Sequence, residues 1–385
     1  MEPAPRFVVA KEPAPSLRGL SWSSARPRAG PGLHKCFLAR NGIYHGIGAL
    51  GLVPGDRVLV PAYICRAAVD PILARGIDVD YYRIGPRCQV DLDDVASRIG
   101  PRTRTLLVVH YFGFPQDMAA ITALCRARRL YVIEDCAHVF GGTPGLELGT
   151  HGDIGVFSWR KFLPLYDGSD LLINADVRFS PLWQRESPLF TLKVAKNLFD
   201  RWGAERWWFA SIDKWLGIVK RSLLARSGSS ASAVALGADT GSLDFDPRFV
   251  DFPMSRLSRW MLAHGRAEWI VARRRENYRR LGDLLGSAAA VQSMFPDLPG
   301  SVCPWIYPVF VGARPDAHLR LRARGIPAVT WGGVRPPGLP ASDHAGAVHF
   351  YDNLVFLPVH QGLETHAIET IAAAVRAVAE DRSKP

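Results

Sequence analysis

Leu130-Tyr131-Val132-Ile133-Glu134-Asp135-Cys136-Ala137-His138 decides the fold. A short apolar run leading straight into two carboxylates reads as a strand buried on both faces that ends at a sheet rim. Leu106-Leu107-Val108-Val109 has the same character, and residues 118–128 between the two runs have helical spacing. Further out, Arg57-Val58-Leu59-Val60, closed by Pro61, and Ile77-Asp78-Val79-Asp80-Tyr81 read as two more strands around a helix at 65–74. Strands alternating with helices of this size predict a doubly wound, mostly parallel α/β sheet. Ligands of such sheets sit at the carboxyl ends of the strands.

The pattern divides the chain into four parts. Residues 1–34, rich in Pro, Gly and Ser, read as an extended N-terminal arm without a secretory signal. Residues 35–175 form the large α/β domain. Residues 176–247 break the rhythm: Trp183, Trp202, Trp207, Trp208 and Trp215 are interleaved with Arg and Lys, and a Ser/Ala/Gly linker follows at 227–238. Residues 248–385 read as a smaller C-terminal α+β domain. It has a basic helix at 259–284, a strand at 305–311 and helices at 316–324 and 364–379.

The chain has 385 residues, is 48% hydrophobic and 22% charged, and carries a formal net charge of +11. Length and composition exclude a disordered scaffold or a disulfide miniprotein. No apolar run approaches the roughly 18 residues of a membrane span. Cys36, Cys65, Cys88, Cys125, Cys136 and Cys303 form no C-x-x-C pair, so reduced cysteines of a cytoplasmic protein are expected, with no metal site. The charge calls for an anionic partner. Nucleic acid is not expected, since no helix-turn-helix or finger pattern is present. The aromatic, basic insertion reads as a lid or dimer arm, or as a peripheral membrane contact through 178–226.

Three stretches can carry chemistry. Asp135, at the end of its strand, is placed to face a cationic ligand atom such as a protonated pyridine nitrogen, with His138 three residues on. On spacing alone, the pair also fits a helix-capping Asp and a packed core His. In Gly152-Asp153-Ile154-Gly155-Val156-Phe157-Ser158-Trp159-Arg160-Lys161, a lysine follows a strand end. Such a lysine forms a Schiff base if its pKa is lowered, or is merely solvated. Leu38-Ala39-Arg40-Asn41-Gly42-Ile43 opens a helix, either as a phosphate-binding turn or as an ordinary helix start. Arg273-Arg274-Arg275 with Arg279-Arg280 reads as a solvated helix face.

Together with Val60-Pro61-Ala62-Tyr63, with Val109-His110-Tyr111-Phe112-Gly113-Phe114-Pro115 and with Leu357-Pro358-Val359-His360, these motifs resemble the DegT/DnrJ/EryC1/StrS family of sugar aminotransferases. The resemblance implies the fold type I, aspartate-aminotransferase-like architecture and pyridoxal 5′-phosphate as cofactor. It implies glutamate as usual amino donor, a nucleotide-linked keto sugar as acceptor, and a homodimer serving polysaccharide, cell-surface or secondary-metabolite biosynthesis. Carried over, it makes Lys161 the Schiff-base lysine and Asp135 the partner of the pyridine nitrogen. His138 would contact the ring hydroxyl, and Ser158 with the Arg40–Asn41 turn would hold the phosphate. Arg256 and His360 fall where substrate contacts are expected, Arg256 in an Asn-x-Arg motif that the partner chain supplies. The chain departs from the family in several places. Leu163 stands at the usual lysine position, and Lys161 is the sole lysine between Lys35 and Lys193. Ser169-Asp170 replaces a Gly-Gly, and Met254 replaces an Asn. Cys65 stands where an aromatic ring stacks on the cofactor, with Tyr63 nearby as its substitute. Two alternatives remain at this stage: a dehydratase-type enzyme with the same cofactor, and a non-catalytic binding member of the family.

Overall fold

The computed structural model describes residues 8–21, 32–141, 147–203, 245–312 and 314–381. Its main sheet has seven strands in the order β1-β7-β6-β5-β4-β2-β3. These are β1 (Leu33–Cys36), β2 (Arg57–Pro61), β3 (Asp78–Tyr82), β4 (Thr103–Val109), β5 (Tyr131–Cys136), β6 (Ile154–Ser158) and β7 (Ser169–Ile173). Strands β2 to β6 are parallel, while β7 runs antiparallel to both β6 and β1. The order reverses between β2 and β4, which opens a crevice at their carboxyl ends. The apolar runs that signalled β4 and β5 are buried almost throughout, as central parallel strands require.

The flanking helices are α1 (Ala39–Ala49), α2 (Arg66–Leu73), α3 (Leu92–Arg98) and α4 (Met118–Ala127). Asp91 and Asp117 cap α3 and α4 by accepting from Asp94 N and Ala120 N. The G-D-I-G motif has a packing cause. The side chain of Asp153 accepts from Val132 N at 2.8 Å and fixes β6 beside β5. A Cβ at Gly155 would lie 2.3 Å from the carbonyl oxygen of Gly149, so no side chain fits there.

Beyond β7 come α5 (Pro188–Gly203), α6 (Arg256–Ala263) and α7 (Ala267–Leu285). The basic helix expected at 259–284 is therefore two helices. Gly265 sits at the break, where Arg266 N donates to Gly19 O and Ser21 N donates to His264 O. A second, antiparallel sheet combines β8 (Val291–Ser293), β9 (Ile306–Val311) and β10 (Leu354–Pro358) in the order β10-β9-β8. It carries α8 (Ala317–Ala323), α9 (Ala345–Asn353) and α10 (Thr365–Glu380).

The segment read as an insertion contributes α5, which buries Phe190, Val194 and Leu198 against Phe37, Tyr166, Phe249 and Met254. Leu189, Leu192 and Phe199 on the same helix stay exposed. Trp207, Trp208, Trp215 and the 227–238 linker lie outside the described residues. No helix among the described residues is long and apolar enough to cross a membrane. The described residues 8–21 of the N-terminal arm pack on their own chain. Val8 N donates to Gly325 O, Ala10 O accepts from His360, and Leu20 bridges to Gly265. Residues 11–18 thus form a strap bowed between two anchors.

Candidate active site

A cavity of about 370 Å³ lies at the carboxyl ends of the strands, roofed by the second sheet and the strap. Arg40, Cys65, Asp135, His138, Ser158 and Lys161 all line it. Register explains the first acidic position. Asp135 pairs with Val109, so both point to the same side of the sheet, and Val109 lines the cavity. Alternation turns Glu134 to the opposite face. There Glu134 meets His110 Nε2 at 3.0 Å and accepts from the N–H groups of Gly149, His151 and Gly152. Burial raises the Glu134 carboxyl, but the His110 contact and these amides outweigh it and hold its pKa below 4.5. His110, Glu134 and Cys136 have metal-ligand types. The Glu134 oxygens are already spent on the clip that ties the 149–152 loop to β5.

Asp135 accepts from Ala137 N at 2.9 Å. Burial raises its carboxyl pKa, against the pull of the Lys161 charge. Lys161 ends a 3-10 turn, Trp159–Lys161, directly after β6. Burial pushes its amine down to about 8, with Asp135 acting against the shift through space. Its Nζ lies 4.5 Å from the centroid of the Trp305 ring. Leu163, at the usual lysine position, is buried in an apolar cluster with Phe162, Leu165 and Met261. The shortened loop therefore delivers its only amine from Lys161.

His138 is held neutral. Burial, and then the Lys161 charge, drive its pKa well below 6.5. Its Nδ1 accepts from Phe112 N at 3.3 Å, which leaves the ring proton on Nε2 as a donor. Phe112 makes this bond from a left-handed conformation, φ 59°, uncommon for a residue with a Cβ. The conformation also aims Phe112 O at Trp305 N, 2.9 Å away.

At the far end stand Ser158, Arg40 and the start of α1. The N-cap of α1 is Leu38, whose side chain caps nothing, and Leu38, Ala39 and Arg40 line the cavity. First-turn N–H groups without a side-chain cap form an anion site. A buried amine, a strand-end carboxylate, a neutral imidazole and a serine–arginine–helix-start end fit a planar phosphorylated pyridine aldehyde. Lys161 and Asp135 would hold its two reactive positions, His138 its hydroxyl and Ser158 with Arg40 its phosphate.

Two residues expected at the site lie elsewhere, and Arg256, expected at a partner chain's site, lies outside this chain's cavity. Asn41 donates from Nδ2 to Phe249 O at 2.7 Å, buried beneath the helix start, and is not free for a phosphate. The Tyr63 ring, in the turn past the end of β2, is fully buried against Trp331, Phe350 and Tyr351, while Cys65 faces the cavity. Arg256 is exposed at the start of α6, where its N–H donates to Glu186. His360 does line the cavity, but both its ring nitrogens bond within the chain, to Ala10 O and Gly362 N. Burial takes its pKa down to about 3, so it ties the strap down as a neutral ring.

Other residues at the cavity gave no sequence signal. Lys11, Glu12 and Pro13 of the strap line it, and Glu12 pairs with Arg201 and faces Arg160. Trp305 lines it from the second domain. Arg274, read from sequence as part of a solvated face, is only 1% exposed. It donates to Gln361 Oε1 and to the carbonyls of Pro304, Trp305, Lys161 and Phe162. Its neighbours in sequence are arginines too, so periodicity could not single it out.

The model of the DegT/DnrJ/EryC1/StrS aminotransferase family matches residues 40–166. GDP-perosamine synthase of Escherichia coli O157:H7 is 38% identical over 134 residues, 33% of this chain and 36% of that protein. GDP-perosamine synthase of Caulobacter vibrioides is 29% identical over 204 residues, 46% of this chain and 54% of that protein. The chain thus spans between about a quarter and a half of the length of the curated relatives it matches. Among solved structures, the aminotransferase TlmJ from Streptoalloteichus hindustanus superimposes with a TM-score of 0.63 at 23% identity, covering 90% of this chain and 85% of that one. A Bacillus subtilis structure, ntda with bound cofactor PMP, has a TM-score of 0.61 at 17% identity, covering 91% and 73%. These neighbours share the α/β fold across both sheets. Residues 40–166, which carry the strand-end Asp135, the neutral His138 and Lys161, match the DegT/DnrJ/EryC1/StrS aminotransferase family.

Proposed function

We propose that this chain is a pyridoxal 5′-phosphate-dependent aminotransferase that moves an amino group from a donor such as glutamate to a keto sugar carried on a nucleotide. One observation carries the reading: Lys161 and Asp135 share one buried cavity and interact by charge through space rather than by a hydrogen bond. Both line a cavity of about 370 Å³, which has the volume for a flat ring. When bound, the cofactor supplies an electron sink that acidifies the C–H bond beside the transferred nitrogen. Asp135 presents the carboxylate that keeps the ring nitrogen protonated. His138 donates its Nε2 proton toward the ring hydroxyl. Lys161 Nζ, with a pKa of about 8, is neutral in a useful fraction near physiological pH. Lys161 would hold the cofactor's aldehyde position, and its Nζ would carry the proton to and from the donor carbon. The donor would leave as its keto acid with uptake of one water, and the acceptor ketone would gain the amine with loss of one.

The test is the absorption spectrum of the purified chain with added pyridoxal phosphate, followed by borohydride reduction and peptide mass mapping. Reductive trapping on Lys161, lost in Lys161→Ala, is the expected result. Adducts scattered over surface lysines would reject the reading and leave a non-catalytic binding protein. A homodimer in the cytoplasm, with Arg256 reaching a partner's cavity, belongs to the same proposal. Light scattering of the purified chain tests the dimer.

A further inference from the structure

We propose that Trp305 is the aromatic platform against which the pyridine ring of the cofactor rests. The inference builds on the function proposed above and assigns a residue outside the 40–166 family match. The Trp305 ring lies 4.2 Å from the His138 ring with 20° between their planes, and Lys161 Nζ sits 4.5 Å from its centroid. It is the one aromatic ring among the described cavity-lining residues in ring contact with both His138 and Lys161.

The backbone fixes Trp305 in place from two sides. Its N–H donates to Phe112 O at 2.9 Å, and its carbonyl accepts from Arg274 Nη1 at 2.9 Å. Phe112 is also the residue that orients His138, so a single strained turn sets both rings. A Cβ at Gly113 would meet Cys303 O at 2.5 Å, which shows how closely that turn packs on the strand approach to Trp305. The α2 side of the cavity offers Cys65, Ala67 and Ala68 and no ring, and Tyr63 is turned into the core. A flat, electron-poor heteroaromatic gains from an electron-rich indole face beyond simple burial. In this cavity only the second domain provides such a face beside the amine.

The experiment titrates the full chain with pyridoxal phosphate and follows both affinity and tryptophan emission. In the wild type, emission falls on binding, because the ring nearest the cofactor is quenched. Trp305→Phe keeps an aromatic face and should bind within about twofold of wild type, while losing part of the quench. Trp305→Leu keeps apolar volume without a ring and should bind about tenfold more weakly. A Leu variant with wild-type affinity, or a Phe variant with the full wild-type quench, overturns the assignment of Trp305 and leaves the cofactor reading standing. If the Leu variant does not fold, the quench of the Phe variant decides. A wild-type chain that binds no pyridoxal phosphate overturns both proposals together.

Discussion

Arg274, on α7 of the second domain, donates to the main-chain oxygen of Lys161 at 3.4 Å, and to that of Phe162 at the same distance. No carboxylate pairs with this buried guanidinium among the described residues. Its N–H groups are met by carbonyls and by Gln361, whose own Nε2 donates to Phe162 O at 2.7 Å. The loop that presents the amine is therefore held from the opposite domain. Keeping the cation here is costly: burial takes its pKa from 12.5 to about 10, on the order of 3 kcal/mol. Leaving its several buried acceptors unpaired costs more, about 1–3 kcal/mol each. Arg274→Met should therefore lower unfolding stability by about 2–5 kcal/mol in urea melts. Arg274→Lys, with three donors on a single nitrogen, should recover only part of the loss. A Met variant as stable as wild type would contradict this account.

The Lys161 amine should show its burial directly. Its pKa falls from 10.5 to about 8, so the neutral, reactive form appears as pH rises through about 8. Between those two values the unfolded chain holds a proton that the folded chain has released, and stability rises with pH across that window. Competitive amine labelling with peptide mapping should give Lys161 a midpoint near pH 8, while exposed lysines titrate near their usual value. A midpoint near 10.5 would mean the amine is hydrated.

The strap contributes to that burial. Lys11, Glu12 and Pro13 line the cavity beside Lys161. Deleting residues 1–16 should admit water and move the Lys161 labelling midpoint upward, from about 8 toward 10.5. An unchanged midpoint in the truncated chain would show that the second domain alone excludes the solvent.

The Ser169-Asp170 pair, in place of two glycines, has a structural counterpart in β1. Lys35 Nζ lies 2.7 Å from Asp170 Oδ1, and the Asp170 side chain is fully buried. Its Oδ2 has no hydrogen-bond partner. Lys35→Met would strand that carboxylate, at a cost of about 3–5 kcal/mol in unfolding stability. Adding Asp170→Leu should restore most of it, because the uncompensated charge leaves with the aspartate. A double variant no better than the single would place the damage in packing rather than charge.

Much of this protein is written locally. Apolar runs at 106–109 and 130–133 specify buried parallel strands, since only a sheet covered on both faces accepts them. Alternation at a strand end places Asp135, and a serine and a lysine just past β6 place Ser158 and Lys161. The weakly patterned elements stayed illegible: β1, with its mixed Leu33–Cys36 sequence, and α5, amphipathic amid tryptophans and basic residues. A long-range partner decides their conformation, β7 for the first and the Phe37 cluster for the second.

The sequence by itself determined the sheet, the crevice and the chemical types at its rim, because periodicity and strand-end position are local properties of the chain. Only the tertiary structure decided that Asn41 serves Phe249 and that His360 pins the strap. The same holds for Arg274 as the support of the Lys161 loop and Trp305 as its aromatic wall. Those roles rest on burial and hydrogen-bond satisfaction between segments more than a hundred residues apart, and side-chain desolvation is set by neighbours that no local pattern names.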